Sequence, residues 1–75
     1  MFDPEKASFQ KRSLNLLRHK TSVSLEKAFW QVLEEAAHTQ HLSLTQLIQK
    51  IDENRTGNLA SALRLYVLAY VLRCK

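Results

Sequence analysis

The sequence predicts a mostly helical domain with one short strand, in which a second copy of the chain completes the fold. Three observations carry this expectation. Lys20 to Leu25 reads K-T-S-V-S-L, with Thr21, Val23 and Leu25 on one side and Lys20, Ser22 and Ser24 on the other. That is the period-2 pattern of a strand with one dry and one wet face. Three helical stripes follow it. The chain has 75 residues and one cysteine, Cys74, so no disulfide within the chain is available. It also lacks the Cys and His cluster of a structural zinc site. A core of this size supplies only about 3–5 kcal/mol, so a partner subunit is expected to do what a staple would.

The strand, about 20–25, needs partners for its backbone N–H and C=O groups. No convincing second strand lies downstream, so the expected partner is the same strand of another copy. Upstream, residues 1–19 are read as a basic N-terminal arm. Met1 to Ser8 shows no periodicity and holds the only proline, Pro4, after Asp3, a pair suited to one helical turn. Leu14 and Leu16 alternate with Ser13 and Asn15, as a strand would, but on the opposite parity from Val23 and Leu25. A bend or bulge near Arg18-His19 and a separate packing of the arm both satisfy this, and the sequence does not choose.

The domain proper is expected over 20–75. From Leu25 the period lengthens, and Phe29, Val32, Leu33, Ala36 and Ala37 form a stripe that predicts a first helix over about 26–39. Glu26 at its start suits the helix dipole. Phe29 and Trp30 leave it at adjacent angles, too wide a face for a surface helix, which points to core or interface packing. A second helix is expected over about 43–54. Ser43 and Gln46 form a capping-box pair, followed by Leu44, Leu47, Ile48 and Ile51 on one stripe. Gly57 is placed to end it in the left-handed conformation, and Asn58 to cap the next helix. That third helix, about 58–73, is apolar nearly all round from Leu65 to Leu72. A 75-residue monomer cannot surround such a helix, and two copies can. Arg64, flanked by leucines, is expected to snorkel or to pair with an acid.

Charge is unevenly spread. Residues 1–20 hold five basic and two acidic side chains, 26–53 hold two and five, and 55–75 hold four and none, for a net +4. A basic segment running into a polar strand face suits a polyanion such as nucleic acid. No nucleophile–base pair, paired carboxylates or glycine-rich phosphate loop stands out, so no enzyme and no cofactor are expected. His38 and His41 lack a third ligand and are read as exposed helix-end residues, with no metal. The N-terminus shows no apolar h-region, and the longest apolar run, eight residues from Leu65, is too short for a membrane span. The expectation is a cytoplasmic, nucleoid-associated protein.

These residues resemble the ribbon-helix-helix superfamily of Arc-, MetJ- and CopG-like DNA-binding proteins. The likeness covers Lys20 to about Arg73. The run K-T-S-V-S-L-E-K-A-F-W is further similar to a small bacterial subfamily with a TSVxLExxFW core, and Asn58, Leu59, Ser61, Ala62, Leu63 and Arg64 match its late motif.

The resemblance implies an intertwined homodimer whose two strands pair as an antiparallel intersubunit ribbon and enter the DNA major groove. Base contacts would then fall to Lys20, Ser22 and Ser24. Phosphate contacts would come from Ser43, Leu44 and Thr45 at the second helix's N-terminus, and from Lys11, Arg12 and Arg18 in the arm. The dimer core would hold Val23, Leu25, Phe29, Trp30, Leu33, Leu47, Ile48, Leu63, Tyr66, Val67 and Tyr70. A repressor-like transcriptional regulator is implied. The alternative is a protein-interaction or dimerisation module, antitoxin-like partner binding included, that does not bind DNA. Two departures bear on specificity. Two serines make a plainer reading surface than larger side chains, and His41 stands where a glycine often precedes the second helix, at a position that would strain a side-chain-bearing residue.

Overall fold

The computed structural model describes residues 7–73. Two strands lead into three helices: β1 (Phe9–Asn15), β2 (Lys20–Glu26), α1 (Lys27–Thr39), α2 (Leu44–Asn54) and α3 (Leu59–Arg73). The mostly helical class stands, and the three helices begin one residue later than expected. The single strand does not stand: residues 9–15, read as part of an arm, form a second one. β1 pairs antiparallel with β2 in register Phe9↔Glu26 through Asn15↔Lys20. This hairpin lies within one chain, and β1 occupies one edge of β2. Of the arm, Met1 to Lys6 lie outside the described residues, and so do Cys74 and Lys75.

The hairpin explains the parity of the leucines. Partners in this register add to an odd number, so an even position on β1 shares its face with an odd one on β2. Leu14 and Leu16 thus point inward with Val23 and Leu25, and all four are buried. The strands close on a two-residue turn, Leu17-Arg18, with Leu16 and His19 exchanging N–H···O=C bonds of 3.0 and 3.3 Å. Neither turn residue has positive φ, so this is not one of the primed turns whose Asn-Gly or Asp-Gly signature marks a hairpin in a sequence.

The core lies between the hairpin's inner face and the helices. Leu25, Trp30, Leu33, Ile48 and Leu63 are completely buried. Trp30 ties the layers together. Its indole Nε1–H donates to the Gln10 carbonyl at 2.9 Å, and the Arg12 guanidinium sits 4.8 Å from its ring centre. Arg12 also reaches Glu34 at 2.8 Å. At the other end of the hairpin Arg64 on α3 pairs with Glu26 at 3.0 Å, as its setting suggested.

The helix boundaries follow local chemistry. Ser43 Oγ accepts from the Gln46 N–H at 3.0 Å, and the Gln46 side chain accepts from the Ser43 N–H at 2.8 Å, completing the capping box. Asn58 Oδ1 accepts from the Ser61 N–H at 3.2 Å. His41 takes φ 60°, the left-handed conformation expected of that position. Gly57 does not: its φ is not positive, and α2 ends instead through extended Arg55. Replacing Ser43 by Ala removes one arm of the box and should cost about 1 kcal/mol. Thermal unfolding followed by circular dichroism should then show the midpoint lowered by about 4–8 °C.

α3 buries Leu59, Leu63 and Val67 and leaves Leu65, Leu68, Val71 and Leu72 exposed. Many of the residues expected to form a dimer core are buried within the protomer. Val23, Leu25, Trp30, Leu33, Leu47, Ile48, Leu63 and Val67 are buried there, and Phe29, Tyr66 and Tyr70 pack against them.

Candidate nucleic-acid interface

The hairpin's outer face is built by register alone. The Leu16–His19 bonds and the Lys27 N–H to Ser8 carbonyl bond (2.8 Å) fix the phase of the ladder. By alternation, Lys11–Ser24, Ser13–Ser22 and Asn15–Lys20 are its non-hydrogen-bonded pairs, in which facing side chains stand closest. All six side chains project away from the core and are exposed. None of the six has a side-chain hydrogen bond or ion pair among the described residues. By contrast Arg12, Arg55 and Arg64 are each held by a carboxylate. The face carries Lys11 and Lys20 as its formal charges, with Arg18 on the turn beside it. Glu26, at the far end, is already neutralised by Arg64.

A second element is held beside the hairpin tip. The Leu17 N–H donates to Gln49 Oε1 at 2.8 Å, and His19 Nε2 lies 3.2 Å from Asp52 Oδ2, so the turn is pinned to α2 at two points. One surface depression is consequently lined by Asn15 and Leu17 from the hairpin and by Ser43, Thr45 and Gln46 from the start of α2. The capping box occupies the N–H groups of Ser43 and Gln46, whereas the amides of Leu44 and Thr45 have no acceptor among the described residues. These two N–H groups and the Thr45 hydroxyl, at the positive end of the α2 dipole, can receive a phosphate oxygen. Ser43 itself is committed to its helix.

Two carboxylates are held below the usual range. In Asp52 the first cause is a hydrogen bond from Arg55, joined by one from His19. In Glu26 it is a backbone hydrogen bond, followed by the bond from Arg64. Both depressions favour the folded state above the ordinary carboxylate pKa, and that contribution disappears as pH falls through the folded-state value. Acid titration should therefore destabilise the domain below about pH 4. The variant Asp52→Asn should show a flatter loss of melting temperature between about pH 5 and pH 3. An unchanged profile would show that other carboxylates govern the acid response.

The structure brings Lys20, Ser22 and Ser24 to one face, and places Lys11 on it, opposite Ser24. Arg18 is exposed on the turn. Arg12 lies on the other side of the sheet against Trp30 and Glu34 and does not join them. Ser13 and Asn15, which complete the face, are absent from the set named from the sequence. Their signal was the parity switch between Leu14/Leu16 and Val23/Leu25, which an antiparallel hairpin with a two-residue loop requires. Among the described residues no group of three or more His, Cys, Asp or Glu side chains is placed to hold a metal ion, and no helix is long and apolar enough to cross a membrane.

Comparison with known proteins agrees with this architecture. The ribbon-helix-helix domain model matches residues 9–71, so the family's domain includes β1. No curated protein matches the chain. Among solved structures, an uncharacterized protein from Bordetella pertussis Tohama I is 36% identical and superposes with a TM-score of 0.82. The match covers 95% of this chain and 62% of that one, so this chain spans under two thirds of its length. By sequence and by fold, the chain belongs to the ribbon-helix-helix domain family.

Proposed function

We propose that this protein is a homodimeric duplex-DNA-binding regulator that lays the outer face of the β1–β2 hairpin in the major groove. The observation that carries this reading is the unpartnered polar face itself. Lys11, Ser13, Asn15, Lys20, Ser22 and Ser24 are exposed together, and the only formal charges among them are positive. A two-stranded ribbon matches the width of the groove, and lysine and serine can both address base edges. In this reading the Leu44 and Thr45 amides hold a backbone phosphate near the hairpin tip, with Arg18 adding a second contact. Family membership supports the same function, since ribbon-helix-helix domains typically bind DNA as dimers. Covering a promoter suffices for repression, and the role is binding rather than catalysis, in the cytoplasm at the nucleoid.

The second copy has a natural place. Leu65, Leu68 and Leu72 recur at i, i+3 and i+7 on the side of α3 that faces away from the core, and each is more than half exposed. Such a stripe is self-complementary across a two-fold axis. The same stripe favours a second reading, in which α3 docks a different protein and the hairpin binds no DNA.

Fluorescence anisotropy of labelled duplex across a salt series separates the two. Wild-type protein should bind with an affinity that falls steeply as salt rises. The variant Lys20→Ala/Ser22→Ala/Ser24→Ala should bind at least about tenfold more weakly, with its melting temperature and oligomeric state unchanged. Absence of wild-type binding at low salt would remove the regulator reading and leave the protein-docking one.

A further inference from the structure

We infer that the groove between the second half of α2 and the first half of α3 binds a small carboxylate that carries an apolar body. The groove has a volume of 680 Å³, within the range of sites that hold small molecules. It shares no residue with the hairpin's outer face or with the free amides of α2. The DNA reading neither requires it nor gives it an occupant.

Two helical stripes make its walls. Leu47, Lys50, Ile51 and Asn54 recur at i, i+3, i+4 and i+7 on α2, so they share one face of that helix. Asn58, Ser61, Ala62 and Leu65 repeat the spacing from the cap of α3. The connection 55–58 joins the two helices, and Asn54, Arg55, Thr56 and Asn58 close that end of the groove with polar groups. Farther from the connection come Ile51 and Ala62, then Leu47, Leu65 and the ring of Tyr66. The ring is held in place. Gln40 Nε2 donates to its hydroxyl at 2.7 Å, and Tyr70 stacks with it at 6.5 Å between ring centres. The groove thus runs from a polar end to an apolar one, the profile of an amphipathic ligand.

Charge selects the sign of the ligand. No carboxylate lines the groove, whereas Lys50 and Arg55 both do. Arg55 is already bonded to Asp52 and to the Gly57 carbonyl. The Lys50 amine has no hydrogen bond or ion pair among the described residues, so it is the group left to meet an anion. The hydroxyls of Thr56 and Ser61 have no partner there either, and both can donate to the same ligand. A second copy suits this groove poorly. Pairing across a two-fold axis brings a patch against itself, which would add cations to cations and supply no carboxylate.

The test follows nitrogen–proton correlation spectra of the whole chain as cinnamate is added, with cinnamamide and acetate as controls for charge and for body. Cinnamate should bind saturably and move the amide signals of Lys50, Ile51, Ser61 and Ala62 more than those of the hairpin. Cinnamamide on wild type, and cinnamate on Lys50→Gln, should each bind about tenfold more weakly. Acetate should not saturate. Ser61→Glu puts a carboxylate on the α3 wall, in a first helical turn that favours an acidic side chain. It should keep its melting temperature and bind cinnamate at least about tenfold more weakly. Cinnamate that fails to saturate wild type, or that binds both variants as tightly as wild type, overturns the proposal. If Ser61→Glu instead turns a wild-type dimer into monomers, the groove is an interface between copies and the carboxylate site is overturned. Neither result touches DNA binding, which the anisotropy series reads separately.

Discussion

Replacing Trp30 by alanine should leave the chain largely unfolded at room temperature. The indole is completely buried and fastens α1 to β1 twice, to Gln10 through its N–H and to Arg12 through its ring face. Removing a buried tryptophan costs about 3–5 kcal/mol, from lost transfer energy and from the cavity that remains. A domain of this length has about that much stability in total. Far-UV circular dichroism is the measurement to use, because Trp30 is the sole tryptophan and its loss removes the fluorescence signal. The milder variant Trp30→Phe keeps most of the apolar bulk and removes one of the two hydrogen bonds to the Gln10 carbonyl, which its ladder partner Leu25 still satisfies. It should remain folded with about 1 kcal/mol lost. A stable, cooperatively melting Trp30→Ala protein would show that the hairpin is not fastened to the helices through this residue.

The second large effect should appear in assembly, with the protomer's fold preserved. Leu65→Glu, Leu68→Glu and Leu72→Glu together place three carboxylates on the exposed stripe of α3, at positions 66%, 55% and 56% exposed in the protomer. Each leucine has about 1 kcal/mol left to gain from burial against a partner, and the two-fold axis doubles the number. Losing that, and burying like charges in its place, should weaken dimerisation by about a thousandfold or more. Sedimentation should show wild type as a dimer and the variant as a monomer of the same helix content. A variant that still dimerises would place the interface elsewhere, the free edge of β2 being the remaining candidate. DNA affinity should fall with the loss of the second ribbon.

Both predictions turn on which residues each chain spends on itself. The apolar residues named as a dimer core are apolar for the reason supposed, but they are buried against one another. The inward leucines of β1 supply the cover that a second copy was expected to bring. The apolar residues that the protomer leaves uncovered on α3 are Leu65, Leu68, Val71 and Leu72.

Much was legible in the residues taken alone. Alternation in Lys20–Leu25 identified β2 and the face of each side chain, since a period of two follows from backbone geometry. The Ser43–Gln46 spacing located the start of α2, and Asn58 that of α3, because a helix end must satisfy its amides within one turn of chain. The left-handed position at His41 followed from the family resemblance, and pairing with an acid was one of the two expectations for Arg64.

The hairpin was not. Its turn, Leu17-Arg18, has no glycine or asparagine and no positive φ, so nothing local announces a reversal. Gly57, which does resemble a left-handed helix stop, does not act as one. The parity change between Leu14 and Val23 was visible, yet a bulge, a separate arm and a hairpin all accommodate it. Choosing among them depends on energies spread over long separations: Trp30 bonding Gln10, Arg12 meeting Glu34, and Leu17 and His19 held by α2. Local pattern determined which residues are dry and which helices form. Only the tertiary structure decided that the ribbon closes within one chain, because strand pairing joins residues whose contact no local period encodes.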